Sequence, residues 1–375
     1  MKRKYILWTM LFLIVLNSCL DTDDLGDKRA VRTVFAYMIA SNLGGNLTRN
    51  IDDMIAVATP DNLNGGKLVV FYSKNKEEAE LFEIKEGANG VITRHHIRDY
   101  ENKSAISPQV MQEIIQEVVS LYPADSYGMI LSSHGSAWMP AGFRELRSFG
   151  EENKKYMEIN ELAGALPDHF FDFLLFDACS MGSVECVYEL RNKAGYIISS
   201  PSEIMDVGFP YQKVAPLLFR DTLDMGRIAD EFHDFYTNYT HPFGNISVVK
   251  TGELEELAGV TRTIVSAAGG EEATYDLLSL FPGLQILTYY NAPTSLYDFG
   301  DVIRRLATDE QYSQFQSALG KAVTEKRTTA KTYIQGVGDI PVGAYSGLSV
   351  YPLREELPGL NAWYRQLDWY KAVYE

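Results

Sequence analysis

Residues 171–180 are FDFLLFDACS, an almost unbroken apolar run that reaches a cysteine, Cys179. A second run of the same kind, YGMILSSHG at residues 127–135, reaches a histidine, His134. Strands that are covered on both faces carry continuous apolar sequence, whereas half-exposed strands alternate apolar and polar residues. Each run therefore predicts a buried strand with a chemically active side chain just beyond its carboxyl end.

Four further apolar runs extend this pattern along the chain. The six predicted strands are Val34–Ala40, Leu68–Tyr72, Tyr127–Ser133, Phe171–Phe176, Tyr196–Ser200 and Ile246–Val249. Helical patterns lie among them at about Val110–Ser120, Ile159–Ala165, Met181–Asn192 and Asp224–Tyr239. Strands that alternate with helices are typical of an α/β fold with a mostly parallel sheet and helices on both faces.

The last third of the chain is predicted to elaborate the same unit, and a separate domain is the alternative. After Thr251 the pattern is helical to about Phe281, and the apolar run GLSVYP at residues 347–352 predicts a further strand. No linker rich in Pro or Ser separates this part from the rest. We therefore expect a core at about 31–250 and a C-terminal elaboration at 251–375.

His134 and Cys179 are the candidate catalytic residues. Ligands bind beyond the carboxyl ends of the strands in open α/β sheets, so these two side chains can meet there. A thiol at a helix N-terminus beside an imidazolium has a lowered pKa and becomes a nucleophile, while the histidine can protonate a leaving amine. Gly135 lets its N–H approach a substrate carbonyl, and with the Cys179 N–H it could form an oxyanion hole.

Both residues also have ordinary interpretations, and other chemistries have less support. A histidine at a strand end can be a satisfied polar residue, and a cysteine there can belong to the core. Cys186 would lie roughly 10 Å from Cys179 along the predicted helix, too far for a disulfide, and is expected to fill the core. The adjacent pair His95 and His96 lacks partners for a metal site, and no zinc motif is present, so no cofactor is expected. A dependence on calcium stays open.

The N-terminus has the layout of a signal peptide. Basic residues at 2–4 precede the apolar run 5–16, which is too short to span a bilayer. The sequence LNSC that ends at Cys19 resembles a bacterial lipobox, and the acidic residues after it resemble the surface-export signal of Bacteroidetes lipoproteins. We therefore expect a signal peptide at 1–18 and a lipidated tether at 19–30, which would anchor the protein to the outer membrane through Cys19 alone. The alternative is a first buried helix.

The charge of the chain favours some partners over others. Lys and Arg number 34 against 50 Asp and Glu, which gives a formal net charge of −16. An acidic protein repels nucleic acids and anionic lipids, so neither is an expected partner. A peptide that carries Lys or Arg is a better one.

Taken together, the motifs resemble the clostripain family of cysteine peptidases, relatives of caspases, legumain and gingipains. The resemblance spans most of the mature chain. It is carried, in order, by YMIASNL at 37–43, SSHG at 132–135, FDACSMGSVE at 176–185, SSPSE at 199–203, GFPY at 208–211, LYDF at 296–299 and GLSVYP at 347–352. It implies a caspase-like three-layer α/β sandwich and a cysteine endopeptidase that cuts after Arg or Lys, with His134 and Cys179 as its dyad.

Specificity for a basic residue requires a carboxylate near the nucleophile. Asp177 stands two residues before Cys179, so on an extended strand both side chains face the same way, and the resemblance puts the acidic base of the pocket here. Asp206 and Glu203 are the second and third candidates. Alternatively, Asp177 caps the following helix. An anion beside Cys179 would raise the thiol pKa, which the imidazolium and the helix terminus must outweigh.

Residues 138–157 are polar and predict a long exposed loop that leaves the strand carrying His134. Proteolytic nicking concentrates in such loops, and this one contains basic residues that an acidic pocket would accept. We therefore expect a zymogen that cuts itself after Arg147 or, second, after Arg144, although an ordinary solvated loop is the alternative. Two other functions stay open, namely a catalytically silent surface binding protein and a hydrolase of a non-peptide amide.

Overall fold

The structure is a computed structural model that describes residues 29–140, 148–275, 277–289 and 295–375. The predicted signal peptide, Cys19, Arg144 and Arg147 lie outside the described residues. Within the described ranges, no helix combines the length and the apolar character that a membrane crossing requires.

Sixteen strands are found in the described part of the chain. They are β1 (Ala30–Ile39), β2 (Lys67–Asn75), β3 (Glu78–Glu86), β4 (Ile92–Tyr100), β5 (Ala124–Ser132), β6 (Phe149–Glu152), β7 (Lys155–Met157), β8 (Phe171–Asp177), β9 (Ala194–Ser199), β10 (Asn245–Lys250), β11 (Ile286–Tyr289), β12 (Ser295–Asp298), β13 (Val323–Thr328), β14 (Lys331–Ile334), β15 (Gly338–Pro341) and β16 (Ser349–Val350).

The helices of the same ranges are α1 (Gly44–Val57), α2 (Pro60–Leu63), α3 (Pro108–Leu121), α4 (Ile159–Ala165), α5 (Val184–Glu189), α6 (Tyr211–Val214), α7 (Met225–Thr237), α8 (Leu254–Ala268), α9 (Glu271–Tyr275), α10 (Leu277–Leu280), α11 (Phe299–Leu306), α12 (Asp309–Ala322), α13 (Pro358–Tyr364) and α14 (Asp368–Tyr374). Short 3₁₀ turns precede α1 and α8 and follow α6.

Nine strands form the central sheet in the order β13-β10-β9-β8-β5-β1-β2-β3-β4. The five central strands, from β9 to β2, pair in parallel, and antiparallel strands extend the sheet on both sides. A three-stranded sheet β11-β12-β16 and two hairpins, β6-β7 and β14-β15, complete the β structure.

The central strands are covered on both faces, which explains their continuous apolar sequence. On β1, Phe35 and Tyr37 belong to one buried cluster, whereas Ala36 and Met38 belong to a second one. The first cluster includes side chains from α3, α4, α5 and the C-terminal helices, and the second includes side chains from α1, α6 and α7. The predicted α/β sandwich with helices on both faces is confirmed.

Every one of the six predicted strands is present in the central sheet, but its other three strands, β3, β4 and β13, were not predicted. Strands β3 and β4 alternate charged and apolar residues, as in EAELFEIKE, and lie at one edge of the sheet. Helix α1 was also missed, because it begins with two glycines, which favour turns. Its buried residues Leu47, Ile51 and Met54 nevertheless follow the helical period.

The predicted helix at Met181–Asn192 is wrong in its extent. Residues 178–183 form a turn in which Ser180 adopts a positive φ of 61°, a value that an α-helix does not allow. Helix α5 starts only at Val184. Ser183 caps it, because its side chain accepts a hydrogen bond from the Cys186 N–H. Cys179 therefore lies in a tight turn before the helix.

The predicted long exposed loop at 138–157 is also wrong in its extent. Trp138 is buried against Tyr351 and Tyr364, with ring centroids 5.4 and 5.1 Å away. After the seven residues 141–147, which lie outside the described ranges, the chain forms the hairpin β6-β7, and Phe149 is fully buried. Polar sequence concealed this hairpin, because β6 contains Glu151 and Glu152 and the turn after it exposes Asn153 and Lys154.

Candidate active site

The pairing of β5 with β8 brings His134 and Cys179 to the same edge of the sheet. The two strands are parallel neighbours, and Ser132 is in register with Asp177. His134 and Cys179 each follow their strand by two residues, so they extend from the sheet at the same level. Direct contact between the two segments confirms this placement, because a Cβ atom on Gly135 would lie 2.6 Å from the Cys179 carbonyl oxygen.

His134 is half-buried and is held from its side chain and its backbone. Its Nε2 lies 2.5 Å from Oδ1 of Asn42, a residue just beyond β1. Its carbonyl oxygen accepts a hydrogen bond of 3.0 Å from the Gly150 N–H at the start of the β6-β7 hairpin. The imidazole is thus fixed between the ends of two strands.

Gly135 presents its N–H toward the cysteine side of the cleft. In its antiparallel bridge with Phe149, the hydrogen bonds are made by the neighbouring residues, and the Gly135 N–H points away from that partner. The Ser133 N–H, two residues earlier, donates to the Asp177 carbonyl at 3.3 Å, so the Gly135 N–H points to the β8 side as well. This direction is suitable for an oxyanion hole.

Cys179 is closed off by the segment that follows β9. Its Sγ accepts from the Ile204 N–H at 3.3 Å and lies 3.5 Å from the Ile204 carbonyl oxygen. Burial, with smaller contributions from the charges of Glu203 and Asp177, raises the pKa of the thiol to about 12, against the Ile204 hydrogen bond. The expected lowering of the thiol pKa is absent from this closed arrangement, because burial outweighs the groups that favour the thiolate.

Asp177 is buried among hydrogen-bond donors. Its carboxylate accepts from Asn50 at 3.2 Å, Ser132 at 3.3 Å and Tyr211 at 3.0 Å, and also from the Phe209 N–H. Burial raises its pKa to about 6 even though these hydrogen bonds favour the charged form. The alternative role as a helix cap is wrong, because Ser183 caps α5.

The other two acidic candidates lie at different depths. Glu203 is half-buried, accepts the Gln335 N–H at 3.1 Å from the β14-β15 hairpin, and has a pKa raised by burial. Asp206 is exposed and accepts from Asn46 at 2.9 Å. Glu203 is therefore the acidic side chain that acts electrostatically on the Cys179 thiol together with Asp177.

Sequence reasoning missed four residues of this site: Asn42, Asn50, Ile204 and Gln335. Asn42 carried a usable signal, because it follows the first predicted strand and so lies at the same sheet edge as His134. Ile204 and Gln335 act through backbone atoms, which any residue supplies, and neither position has a side-chain signature.

The remaining candidates lie elsewhere. Cys186 is a buried, unpaired thiol of α5. His95 and His96 lie on the edge strand β4, where His96 contacts Asp99 at 3.2 Å. Within the described ranges, no group of three or more His, Cys, Asp or Glu side chains is placed to hold a metal ion.

The chain is similar to known proteins over most of its length. The sequence model of the Clostripain family matches residues 36–375. Clostripain of Hathewaya histolytica is 26% identical over 232 residues, which cover 50% of this chain and 42% of clostripain. The match thus spans less than half the length of that curated relative.

Two solved structures are similar over nearly the whole fold. An inactive protease zymogen from Parabacteroides distasonis is 38% identical, with a TM-score of 0.83 over 93% of this chain and 99% of that one. A secreted cysteine protease from Bacteroides thetaiotaomicron, solved with an irreversible peptide inhibitor, is 28% identical, with a TM-score of 0.80 over 92% and 99% of the two chains.

Proposed function

This chain belongs to the clostripain family of cysteine proteases, and from that membership we propose that it is an endopeptidase that cleaves after Arg or Lys with His134 and Cys179 as its catalytic dyad. The observation that carries the proposal is the register of β5 and β8, which extends these two residues side by side from adjacent strands. The irreversible peptide inhibitor bound to the Bacteroides thetaiotaomicron relative supports peptides as the substrate class.

The proposed reaction proceeds in two steps. His134 takes the proton of the Cys179 thiol, and the thiolate attacks the peptide carbonyl to form a tetrahedral oxyanion. The N–H groups of Gly135 and Cys179 stabilise this oxyanion, and the imidazolium then protonates the departing amine. Water activated by His134 hydrolyses the thioacyl-enzyme and restores the thiol.

The closed thiol indicates that this arrangement precedes activation. The Ile204 N–H and carbonyl oxygen both contact Sγ, and a thiol with a pKa of about 12 is almost wholly protonated at neutral pH. The Parabacteroides distasonis relative was solved as an inactive zymogen. We infer that this chain is likewise made as a zymogen and opens after self-cleavage, at Arg147 first and Arg144 second.

Acidic side chains near the nucleophile support the specificity for basic residues. Asp177 is the proposed base of the pocket, Glu203 lies between Cys179 and the β14-β15 hairpin, and Asp206 stands on the outer rim. The net charge of −16 attracts cationic peptides over longer distances.

The proposed location is the outer surface of the cell envelope. The signal peptide and the lipobox that ends at Cys19 support export and acylation, and one relative is described as secreted. The acyl chain would be the membrane contact.

The two cysteines provide the test of this function. Cys179→Ala should abolish cleavage of a fluorogenic Arg peptide and labelling by an arginyl chloromethyl ketone, whereas Cys186→Ala should keep both. Normal turnover by Cys179→Ala would exclude the dyad. The closed thiol also favours a second candidate, a silent binding protein, and wild-type protein that binds peptides without cleaving them or reacting with the probe would support it.

A further inference from the structure

We propose that Asn42 is a positioning residue that fixes the orientation and the tautomer of His134. The proposal rests on the dyad proposed above and adds a third residue, which acts through the histidine. The contact that carries it is the distance of 2.5 Å between Asn42 Oδ1 and His134 Nε2.

The backbone around Asn42 is fixed on both sides. Before it, the Ala40 N–H donates to the Ser73 carbonyl of β2 at 2.7 Å, which ties the end of β1 to its neighbour. Ser41 adopts a positive φ of 42°, a conformation that is unfavourable for a residue with a side chain and persists where the surroundings enforce it. Asn42 itself lies in a 3₁₀ turn, residues 41–43, which leads into α1. The strained turn directs the amide toward His134.

A second contact attaches the residue before His134 to the end of β1. Ser133 Oγ donates to the Ile39 carbonyl at 2.9 Å, one residue before His134 and three before Asn42. Two contacts therefore join the ends of β1 and β5. One is the hydrogen bond from Ser133 Oγ to the Ile39 carbonyl, and the other is the side-chain contact between Asn42 and His134. An imidazole held in this way cannot rotate freely about its Cβ–Cγ bond.

The chemistry of the pair follows from the acceptor. An amide oxygen accepts a hydrogen bond from the Nε2–H of His134, so the neutral imidazole carries its proton on Nε2 and keeps a lone pair on Nδ1. Nδ1 can then take the proton of the Cys179 thiol and return it to the leaving amine. The bond persists in the imidazolium, because both nitrogens then carry hydrogen. Asn42 thus serves both protonation states of His134.

Three variants test this role in the full-length, self-processed enzyme. Asn42→Ala should lower kcat on an Arg peptide on the order of 10²-fold, as for a misplaced catalytic group, while KM changes less than twofold. Asn42→Asp should recover most of kcat, because a carboxylate accepts the same hydrogen bond. Asn238→Ala, an exposed asparagine that bonds its own helix at the end of α7, is the matched control and should behave as wild type.

Two outcomes would overturn the proposal: wild-type kcat in Asn42→Ala, or equal losses in the Ala and Asp variants at unchanged melting temperature. Nitrogen NMR of the histidine side chains supplies a readout that does not depend on turnover. Nε2 of His134 should be protonated in the neutral wild-type imidazole, and this preference should vanish in Asn42→Ala. If wild-type protein neither cleaves peptides nor reacts at Cys179, the proposed function fails, and the NMR result alone decides the role of Asn42.

Discussion

At the scale of single residues, the carboxylate of Asp177 serves two demands that conflict. As the proposed base of the pocket it must be negative to bind a basic side chain, yet it is buried, and its Oδ2 accepts hydrogen bonds from Asn50, Ser132 and Tyr211. These donors replace water around the charge and hold the carboxylate in place. A substrate Arg or Lys must therefore share the carboxylate with them.

Asp177→Asn should weaken cleavage after Arg and Lys by about 2–5 kcal/mol in kcat/KM, the cost of removing one partner of a buried charge pair. The measurement is a comparison of kcat/KM on Arg and Lys peptides, with a thermal melt to exclude misfolding. Asp206→Asn is the control, because that carboxylate is exposed. If Asp206→Asn shows the loss and Asp177→Asn does not, the pocket lies at the rim.

Gly208 is a position where any side chain should be damaging. Its φ is +71°, and a Cβ there would lie 2.5 Å from Asn50 Nδ2 and 2.6 Å from Asp177 Oδ2. Gly208→Ala should therefore reduce both stability and activity on Arg peptides. Gly270→Ala is the matched control, since Gly270 has a φ of +73° with no atom within 4 Å of the added Cβ. It should cost only about 1–2 kcal/mol of unfolding free energy, the conformational penalty alone. Equal urea midpoints for the two variants would contradict this account.

The placement of His134 and Cys179 at one edge of the sheet was predictable from the sequence, but their surroundings were not. His134 and Cys179 end apolar runs, and the position beyond a parallel strand is set by topology. The contact with Ile204 depends on where a loop from the next strand folds back, and no side-chain pattern encodes that path. For the same reason, the raised pKa of the Cys179 thiol was opposite to the expected direction.

At the scale of elements, α5 connects the turn at residues 178–183, which carries Cys179, to the C-terminal region. Its Glu185 is fully buried, and Oε1 accepts the Tyr351 N–H at 2.8 Å. Both residues belong to motifs that the sequence pattern singled out, FDACSMGSVE and GLSVYP. Their contact explains why two motifs more than 160 residues apart occur together.

Glu185 should make stability depend on pH. Burial raises its pKa from 4.5 to about 7, so the folded protein holds the proton more tightly than the unfolded chain. This proton stabilises the fold below about pH 4.5, and the contribution, about 3 kcal/mol, is lost as pH rises to about 7. Glu185→Gln stays neutral and keeps an acceptor for Tyr351. In a Cys179→Ala background, its melting temperature should exceed that of the parent at pH 8 and approach it at pH 4.5.

The exposed Glu355 provides the control for this experiment. Glu355→Gln should leave the pH dependence of the melting temperature as in the parent. A Glu185→Gln variant that is no more stable than the parent at pH 8 would show that the buried carboxyl does not oppose folding there.

The site of self-cleavage is the prediction that belongs to the β6-β7 region. Since 138–140 are buried and β6 pairs with β7, we predict that the cut falls among residues 141–147, which contain Arg144 and Arg147. Arg147→Ala should prevent or displace the cut, and Lys155→Ala on β7 should not. Mass spectrometry of the fragments identifies the bond. A new N-terminus at Glu145 would assign the cut to Arg144 instead.

At the scale of the whole molecule, the proposed cleavage segment, residues 141–147, separates the chain into two parts. Each part forms one contiguous half of the central sheet. Strands β1 to β5 precede it and occupy one side, and β8, β9, β10 and β13 follow it and occupy the other. Five registered residue pairs between β5 and β8 join the halves. We therefore expect His134 and Cys179 to stay together after a cut between β5 and β8.

The cut protein should therefore behave as one particle. The two fragments should elute together in size-exclusion chromatography under native conditions and separate on a denaturing gel, while Cys179→Ala stays intact in both. Fragments that elute apart at neutral pH would contradict the role of the β5–β8 pairing.

The layered α/β fold was predictable because both faces of its central strands are covered and their sequence is apolar throughout. The edge formed by β3 and β4 was not predictable, because these strands carry charged residues and their sequences resemble surface loops. The C-terminal third was predicted only in outline, since its short strands β11, β12 and β16 pair over two to four residues and carry little periodic signal.

The Ile204 backbone that covers the Cys179 sulfur also bears on how long the enzyme survives outside a cell. Peroxide attacks thiolates that are exposed, and no glutathione pool repairs the product there. A protonated sulfur beneath two backbone atoms is a poor target for oxidation. We therefore expect the closed form to resist oxidation of Cys179 and an opened, active form to lose this thiol faster.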